Sequence, residues 1–275
     1  MQSVEDVLKK SQPALFWCTR SLPKSKREAI YTLFAFCRHL DNIVRSSMPM
    51  EEKKELLKEW REELDNIYDR NVPATNIGRK IYKNCMRFNL PKELWLNILG
   101  GNSLNIPQHI QAPTREDFEK YIKSAAEIPF YIALLIITGK QTAANQELAK
   151  NLGKAVVITS ILRDIKDDSK ADYFYFPQDV LAAANIKIDE VRDMVENKNI
   201  SVARELLAKE AMPAFIKAER LLNKMNRRDT LALQLIQNLS LYQFGIMQKR
   251  GWEIISPKPH VDFWHRLSIL WNTLF

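Results

Sequence analysis

Seven glycines in a chain of 275 residues leave little room for a fold built on tight turns. Hairpins and glycine-looped nucleotide binders draw on glycine wherever the backbone must turn through positive φ. Neither G-x-G-x-x-G nor G-x-x-x-x-G-K-[ST] occurs, so the two common phosphate cradles are absent. Instead, apolar residues recur every three or four positions, which is the period of an α-helix. Between Ser25 and Ser46 these are Ile30, Leu33, Phe34, Cys37, Leu40 and Val44. The fold class read from this pattern is all-α. A hydrophobic share of 46% and a charged share of 27% place the chain among ordinary soluble globular proteins.

The same reading predicts helices over Met50–Arg70 and Pro73–Phe88, and another from Leu90-Pro91 to about Gly100-Gly101. A loop with two prolines, Asn105 to Pro113, follows. Thr114 then stands as an N-cap before two acids, opening a helix that Gly139 ends. Pro129 inside that helix predicts a kink or break, because proline lacks the N–H and clashes with the preceding turn. Further helices are expected from about Gln141 to Asp168, briefly after Pro177, from Ile188-Asp189-Glu190, and over Ser201–Met225 and Thr230–Arg250, with Gly251 closing the last. The tail places Phe263, Trp264, Leu267, Leu270 and Trp271 along one side and is expected to pack on the bundle; an interfacial membrane anchor is the other reading. No repeat or linker interrupts the chain, so residues 1–275 are expected to form one domain.

Two polar stripes carry the chemistry. Asp164, Asp167 and Asp168 stand at i, i+3 and i+4 and project from one helix face, with Arg163 beside them and Ser160 one turn back. Acids near a helix C-terminus oppose the macrodipole and repel one another, so something must offset them. Mg²⁺, which takes oxygen ligands and often only one or two carboxylates, is one candidate. Pairing with Lys166 and Lys170 at a solvated helix end is the other. Arg38, Asp41 and Arg45 form the second stripe, at i, i+3 and i+7.

Net charge is +8, from 41 basic and 33 acidic residues, which favours anionic partners. The basic residues are scattered and no nucleic-acid motif accompanies them, so nucleic acid is not expected. Cys18, Cys37 and Cys85 form no C-x-x-C and read as reduced thiols in a cytoplasmic protein. The four histidines lack metal-ligand spacing, and the N-terminal stretch lacks a signal peptide's apolar region. The longest nearly apolar run, Ile128 to Thr138, is too short to span a bilayer and fits a buried helix.

The pairing of LPKSKREAIYTLFAFCRHLDNIV with LGKAVVITSILRDIKDDSKADYFYFPQD, followed by YQFGIMQKRGWEIISPKPHV, resembles the squalene/phytoene synthase family over nearly the whole chain. The resemblance implies a single-domain, all-α isoprenoid-synthase bundle around a central cavity. It also implies a prenyltransferase joining two prenyl diphosphates head to head through a cyclopropylcarbinyl diphosphate. Two aspartate motifs would face each other there, with Asp41, Asp164 and Asp168 holding Mg²⁺. Asp41, Asp164, Asp168, Tyr121 and Tyr175 match catalytic positions of the family, and Arg38, Arg45, Arg163 and Ser160 are expected to meet the substrate. A water-insoluble product together with the basic charge suggests peripheral association with the inner face of a membrane. NADPH use and oligomeric state are left open by the sequence.

The chain also departs from the family pattern. Arg45 stands where the first motif has its second aspartate, and Ser160 and Val157 replace an asparagine and a glutamine of the second. Asp172-Tyr173 replaces a Gly-Arg pair, and the glycines expected after Tyr121 are missing. Arg45 would either bind diphosphate directly or pair with Asp41 and close the site. The same departures allow a relative that has lost catalysis and serves as a lipid-binding or respiratory-complex assembly factor.

Overall fold

The computed structural model describes residues 4–103, 110–187 and 191–274. Two short helices, α1 (Val4–Ser11) and α2 (Pro13–Thr19), precede the first one expected. Then come α3 (Lys24–Arg45), α4 (Met50–Asp65), α5 (Asn76–Phe88) and α6 (Lys92–Ser103). The chain continues through α7 (Arg115–Ile122), α8 (Ile128–Thr138), α9 (Ala143–Lys170) and α10 (Gln178–Ala183). It closes with α11 (Val191–Met194), α12 (Ile200–Leu222), α13 (Arg227–Arg250) and α14 (Phe263–Leu274). Among the described residues the only β pairing is an isolated parallel bridge, Gln111 with Phe174. The fold is all-α.

Local chemistry explains where the helices start and stop. Thr75, Thr114 and Thr142 cap α5, α7 and α9, each side-chain oxygen accepting from the N–H three residues on. Asn71, Asn89 and Gly139 take positive φ of 58°, 50° and 67° and end their helices with the left-handed turn that these residues tolerate. The expected helix 50–70 is α4 followed by a π-helical turn, Asn66–Arg70, and the helix expected from Pro73 begins only at Asn76. The loop expected over 105–113 and the helix expected from Ile188 fall partly outside the described residues.

Pro129 does not break its helix. The strain is taken up one turn earlier, in a π-helical turn Lys123–Glu127 that joins α7 to α8. There the Ile128 N–H reaches back five residues to the Lys123 carbonyl, widening the turn that proline would otherwise clash with. Two glycines admit this turn to the core. A Cβ at Gly153 of α9 would lie 3.0 Å from the Ala126 carbonyl carbon, and one at Gly101 of α6 would lie 2.0 Å from the Ser124 Cβ. Such close approach needs residues without side chains. The run 115–138 passes the length and hydropathy test for a membrane span, yet 67% of its most apolar window is buried inside the bundle.

Helix α9 is the axis. It packs against α8, α12, α13 and the Lys123–Glu127 turn. Two apolar clusters lie about it, one built on α3, α6 and α8 and the other on α12 and the segment Tyr173–Phe176, and Val157 packs against both. Arg204 is fully buried, and its guanidinium donates to the Leu162, Trp252 and Ile254 carbonyls. That clamp ties the segment after α13 to α9, and the segment carries Lys258 toward the α9 acids.

Candidate active site

The C-terminal halves of α3 and α9 meet at a polar chamber of about 310 Å³. Its walls include Arg38, Asp41 and Arg45 from α3, Tyr121 from α7, and Ser160, Asp164 and Asp168 from α9. Tyr173 and Tyr175 close it from the segment that follows α9. This segment runs extended, so alternate residues point to opposite sides. The two tyrosines face the chamber, while Phe174 and Phe176 stack 5.0 Å apart in the core behind it. Backbone bonds from Phe174 N–H to Ile110 and from Ala112 N–H to Phe174 hold it extended. Asp172 makes the turn into it at φ 59°, a left-handed backbone that suits the glycine of the family pattern and that Asp tolerates.

Arg45 is the hub of the chamber. Its Nε donates to Asp41 Oδ1 at 2.8 Å, one Nη to Asp168 Oδ1 at 3.3 Å, and the other Nη to the Tyr175 hydroxyl. The guanidinium lies 4.2 Å from the centroid of the Tyr173 ring. Of the two roles the sequence left open, the pairing with Asp41 is made, and it is made inside the chamber. The side chain also bridges α3 to α9. Burial works against its charge, but Tyr175, Asp41 and Asp168 outweigh burial and raise its pKa. Asp41, expected as a metal ligand, has both oxygens engaged, since Oδ2 accepts from Arg38 at 2.8 Å.

On the α9 side, the Asp164 carboxylate accepts two bonds from Arg163, at 3.0 and 2.5 Å, and one from Lys258 at 2.6 Å. Burial would raise its pKa, but these cations hold it below the usual carboxylate range. Asp168 goes the other way: burial, opposed by Arg45 and reinforced by Asp164, pushes it up to about 6. Lys258 also pairs with Asp167 at 2.6 Å. Lys166, one of the two lysines expected to offset the acids, donates to Ser256. Arg163, expected at a phosphate, spends its remaining Nη on Gln243 and borders a second chamber.

That second chamber, of about 500 Å³, is lined by Leu15, Cys18, Phe34, Ala126, Phe130, Val156, Ile236, Leu239 and Val261. Gln12, Ala125, Val157 and Ser160 border both chambers, so the polar one opens onto the apolar one at the middle of α9. Val157 and Ser160, the altered positions of the second motif, form this seam. The Lys123–Glu127 turn supplies Ala125 on the other side. Tyr173, Lys258 and Gln243 were not singled out as site residues from sequence, although all three lie in quoted stretches.

The residues suit Mg²⁺ on one side only. Asp164 and Asp168 stand one helical turn apart, and this ion needs one or two protein carboxylates, completing its shell with water and diphosphate oxygens. Among the described residues no three His, Cys, Asp or Glu side chains form a ready-made cage. On α3, Asp41 is held by two arginines and no second acid stands beside it.

The tail corrects one further expectation. Of the five residues expected on the bundle, Leu270 packs against its core, but Phe263, Trp264, Leu267 and Trp271 are 69%, 72%, 45% and 63% exposed, and Ile269 and Thr273 make the buried contact.

Comparison with known proteins agrees with this architecture. The presqualene diphosphate synthase of Sinorhizobium fredii is 29% identical over 209 residues, covering 76% of this chain and 74% of that one. The presqualene diphosphate synthase of Rhodopseudomonas palustris is 27% identical over 230 residues, covering 83% and 80%. A crystal structure of a dehydrosqualene synthase superposes with a TM-score of 0.85 at 20% identity, covering 98% of this chain and 94% of that one. Squalene synthase HpnC from Alicyclobacillus acidocaldarius superposes at 0.79 with 19% identity, covering 90% and 93%. Residues 8–264 match the squalene/phytoene synthase family, and the chain belongs to it.

Proposed function

We propose that the protein is a Mg²⁺-dependent prenyltransferase that joins two prenyl diphosphates head to head. The observation that carries this reading is the pair of chambers meeting at Ser160 and Val157, one walled mainly by charged and polar groups and the other mainly by hydrocarbon with Arg163, Lys258 and Arg266 at its edge. A prenyl diphosphate has the same two halves. Arg38 and Arg45 are the groups we assign to diphosphate oxygens, since guanidinium donors match their geometry and carry fixed charge. Asp41 orients both arginines. Asp164 and Asp168 would hold the metal ion, which when bound neutralises charge building on the departing diphosphate.

The stacked rings of Tyr121 and Tyr175, 4.7 Å apart, wall the chamber where an allylic cation would form. Burial raises the pKa of both hydroxyls, so they stay neutral donors. The apolar chamber keeps water from the cation and holds the chain behind it. The named relatives are presqualene diphosphate synthases, and they give the assembly-factor reading no support. An apolar product and a net charge of +8 support a position on the inner face of an anionic membrane.

Calorimetric titration with a non-hydrolysable prenyl diphosphate, with and without Mg²⁺, tests the proposal. Tight binding that requires or is strengthened by Mg²⁺ is expected. Absence of binding under both conditions would return the protein to the non-catalytic reading.

A further inference from the structure

Helix α14 has two apolar faces, and the bundle uses one of them. Successive residues advance about 100° around a helix, so Phe263, Trp264, Leu267, Trp271 and Leu274 fall within an arc of about 100°. Ile269 and Thr273, the buried pair, lie about 150° around from the middle of that arc. Through them α14 rests on α13, where Asn238 donates to Thr273 Oγ1 at 2.9 Å and Arg227 to the Thr273 carbonyl. His265, Ser268 and Asn272 separate the two faces with an exposed polar strip on one side, and the half-buried Arg266 and Leu270 lie between them on the other. The outer arc is more than 40% exposed at every position. Scattered exposed apolar residues are normal, but three aromatic and two leucine side chains on one face of one helix form a contiguous patch.

We propose that this outer face of α14 is a docking surface for an anionic lipid bilayer, with the helix lying in the headgroup region. The inference deepens the prenyltransferase reading and rests on it for the nature of the cargo. Three observations select a bilayer. Two tryptophans and a phenylalanine make up most of the exposed area; indole, with an apolar body and one N–H, suits the boundary between headgroups and acyl chains. The chain carries a net charge of +8, and cations flank the helix on its bundle side, Arg266 donating to the Val261 carbonyl at its start and Arg227 to the Thr273 carbonyl at its end. Finally, Pro259, His260, Val261 and Arg266 wall the apolar chamber and lead directly into α14. A bilayer bound at this face would lie beside the chamber that holds hydrocarbon, giving an apolar product a route that avoids water.

The test uses the full chain and vesicles of phosphatidylcholine with about one third phosphatidylglycerol, without prenyl substrate, so that docking is measured apart from catalysis. Wild type should co-sediment with the vesicles, and its tryptophan emission should shift to the blue. The triple variant Phe263→Ser/Trp264→Ser/Trp271→Ser should partition at least tenfold more weakly, while its circular dichroism and binding of a prenyl diphosphate analogue stay unchanged. Wild type remaining in the supernatant, or sedimentation equal to that of the variant, overturns the proposal. So does a wild-type dimer, measured by light scattering, that the triple variant converts to monomer, since the face would then be covered by a second copy. Loss of analogue binding by the wild type with vesicle binding intact would instead strike the prenyltransferase reading alone.

Discussion

The two helix ends that meet across the polar chamber present opposite charge to it. The end of α3 turns Arg38, Asp41 and Arg45 toward the chamber, whereas the end of α9 turns Asp164 and Asp168 toward it and keeps Arg163, Lys166 and Lys170 off its wall. A helix C-terminus is partly negative, so cations there are favourable and acids are not. The α3 end is therefore electrostatically at ease, with its single acid bound by both arginines. The α9 end is not, and it draws Lys258 from beyond α13 and Arg45 from α3. Groups held against local preference are where function is to be sought, because the fold must support them at a cost.

The largest expected effect follows from removing an α9 acid. Asp168→Asn keeps the shape and an acceptor for Arg45 but removes a charge that burial already disfavours. Stability should hold or rise slightly in urea denaturation, while turnover falls by about 100-fold or more through lost electrostatic stabilisation. Removing Mg²⁺ with a chelator should abolish turnover in wild type. Equal turnover of wild type and Asp168→Asn would remove α9 from the chemistry and erase the contrast with α3.

Next is Arg45→Ala. If the guanidinium meets diphosphate, affinity for a prenyl diphosphate analogue falls by about 1.5–3 kcal/mol, the loss of a charge-assisted contact. Calorimetry with and without Mg²⁺ reads this directly. Unchanged or improved affinity would mean that the bridge from Asp41 to Asp168 acts as a plug. Arg45→Asp restores the acid of the family pattern, yet activity need not rise while Val157 and Ser160 remain at the seam.

How much of this could be read in advance follows from the range of each interaction. Helix positions came from local periodicity and caps, and α3, α9 and α13 lie within a few residues of expectation. The chamber residues came from spacing within each helix together with the resemblance. What stayed hidden spans the chain: Arg45 reaches Asp168 across 123 positions, and Lys258 reaches Asp164 across 94. Periodicity also found the aromatic side of α14 but assigned it to the wrong environment. A helical stripe identifies a face and carries no information on what covers it. The π-helical turn at 123–127 was missed because proline chemistry predicts strain without saying which neighbouring turn will take it up.

A smaller effect is expected at the seam. Gly153→Ala adds a Cβ 3.0 Å from the Glu127 amide nitrogen, against a gain of about 1 kcal/mol in helix propensity. Backbone cannot yield as a side chain can, so net destabilisation of about 1–2 kcal/mol is expected in urea. A more stable variant would mean that the Lys123–Glu127 turn shifts freely and does not fix the junction of the chambers.

The smallest expected effect tests whether the imported cation is a partner or a competitor. Lys258 is 40% exposed at its side chain and binds the Asp164 carboxylate, which would also hold the metal ion. Partly exposed ion pairs contribute little, about 0.5–1 kcal/mol, and salt screens them. Lys258→Ala should therefore leave stability nearly unchanged. Because the lysine must leave Asp164 before Mg²⁺ can bind there, the variant should bind Mg²⁺ about threefold more tightly in the presence of a diphosphate analogue, roughly 0.6 kcal/mol. The difference should shrink as salt rises from about 0.05 to 0.5 M, as the Debye length falls. Weaker Mg²⁺ binding by the variant would give the opposite answer: the lysine would then travel with the diphosphate, and the α9 end would recruit its cation for the substrate rather than against the metal.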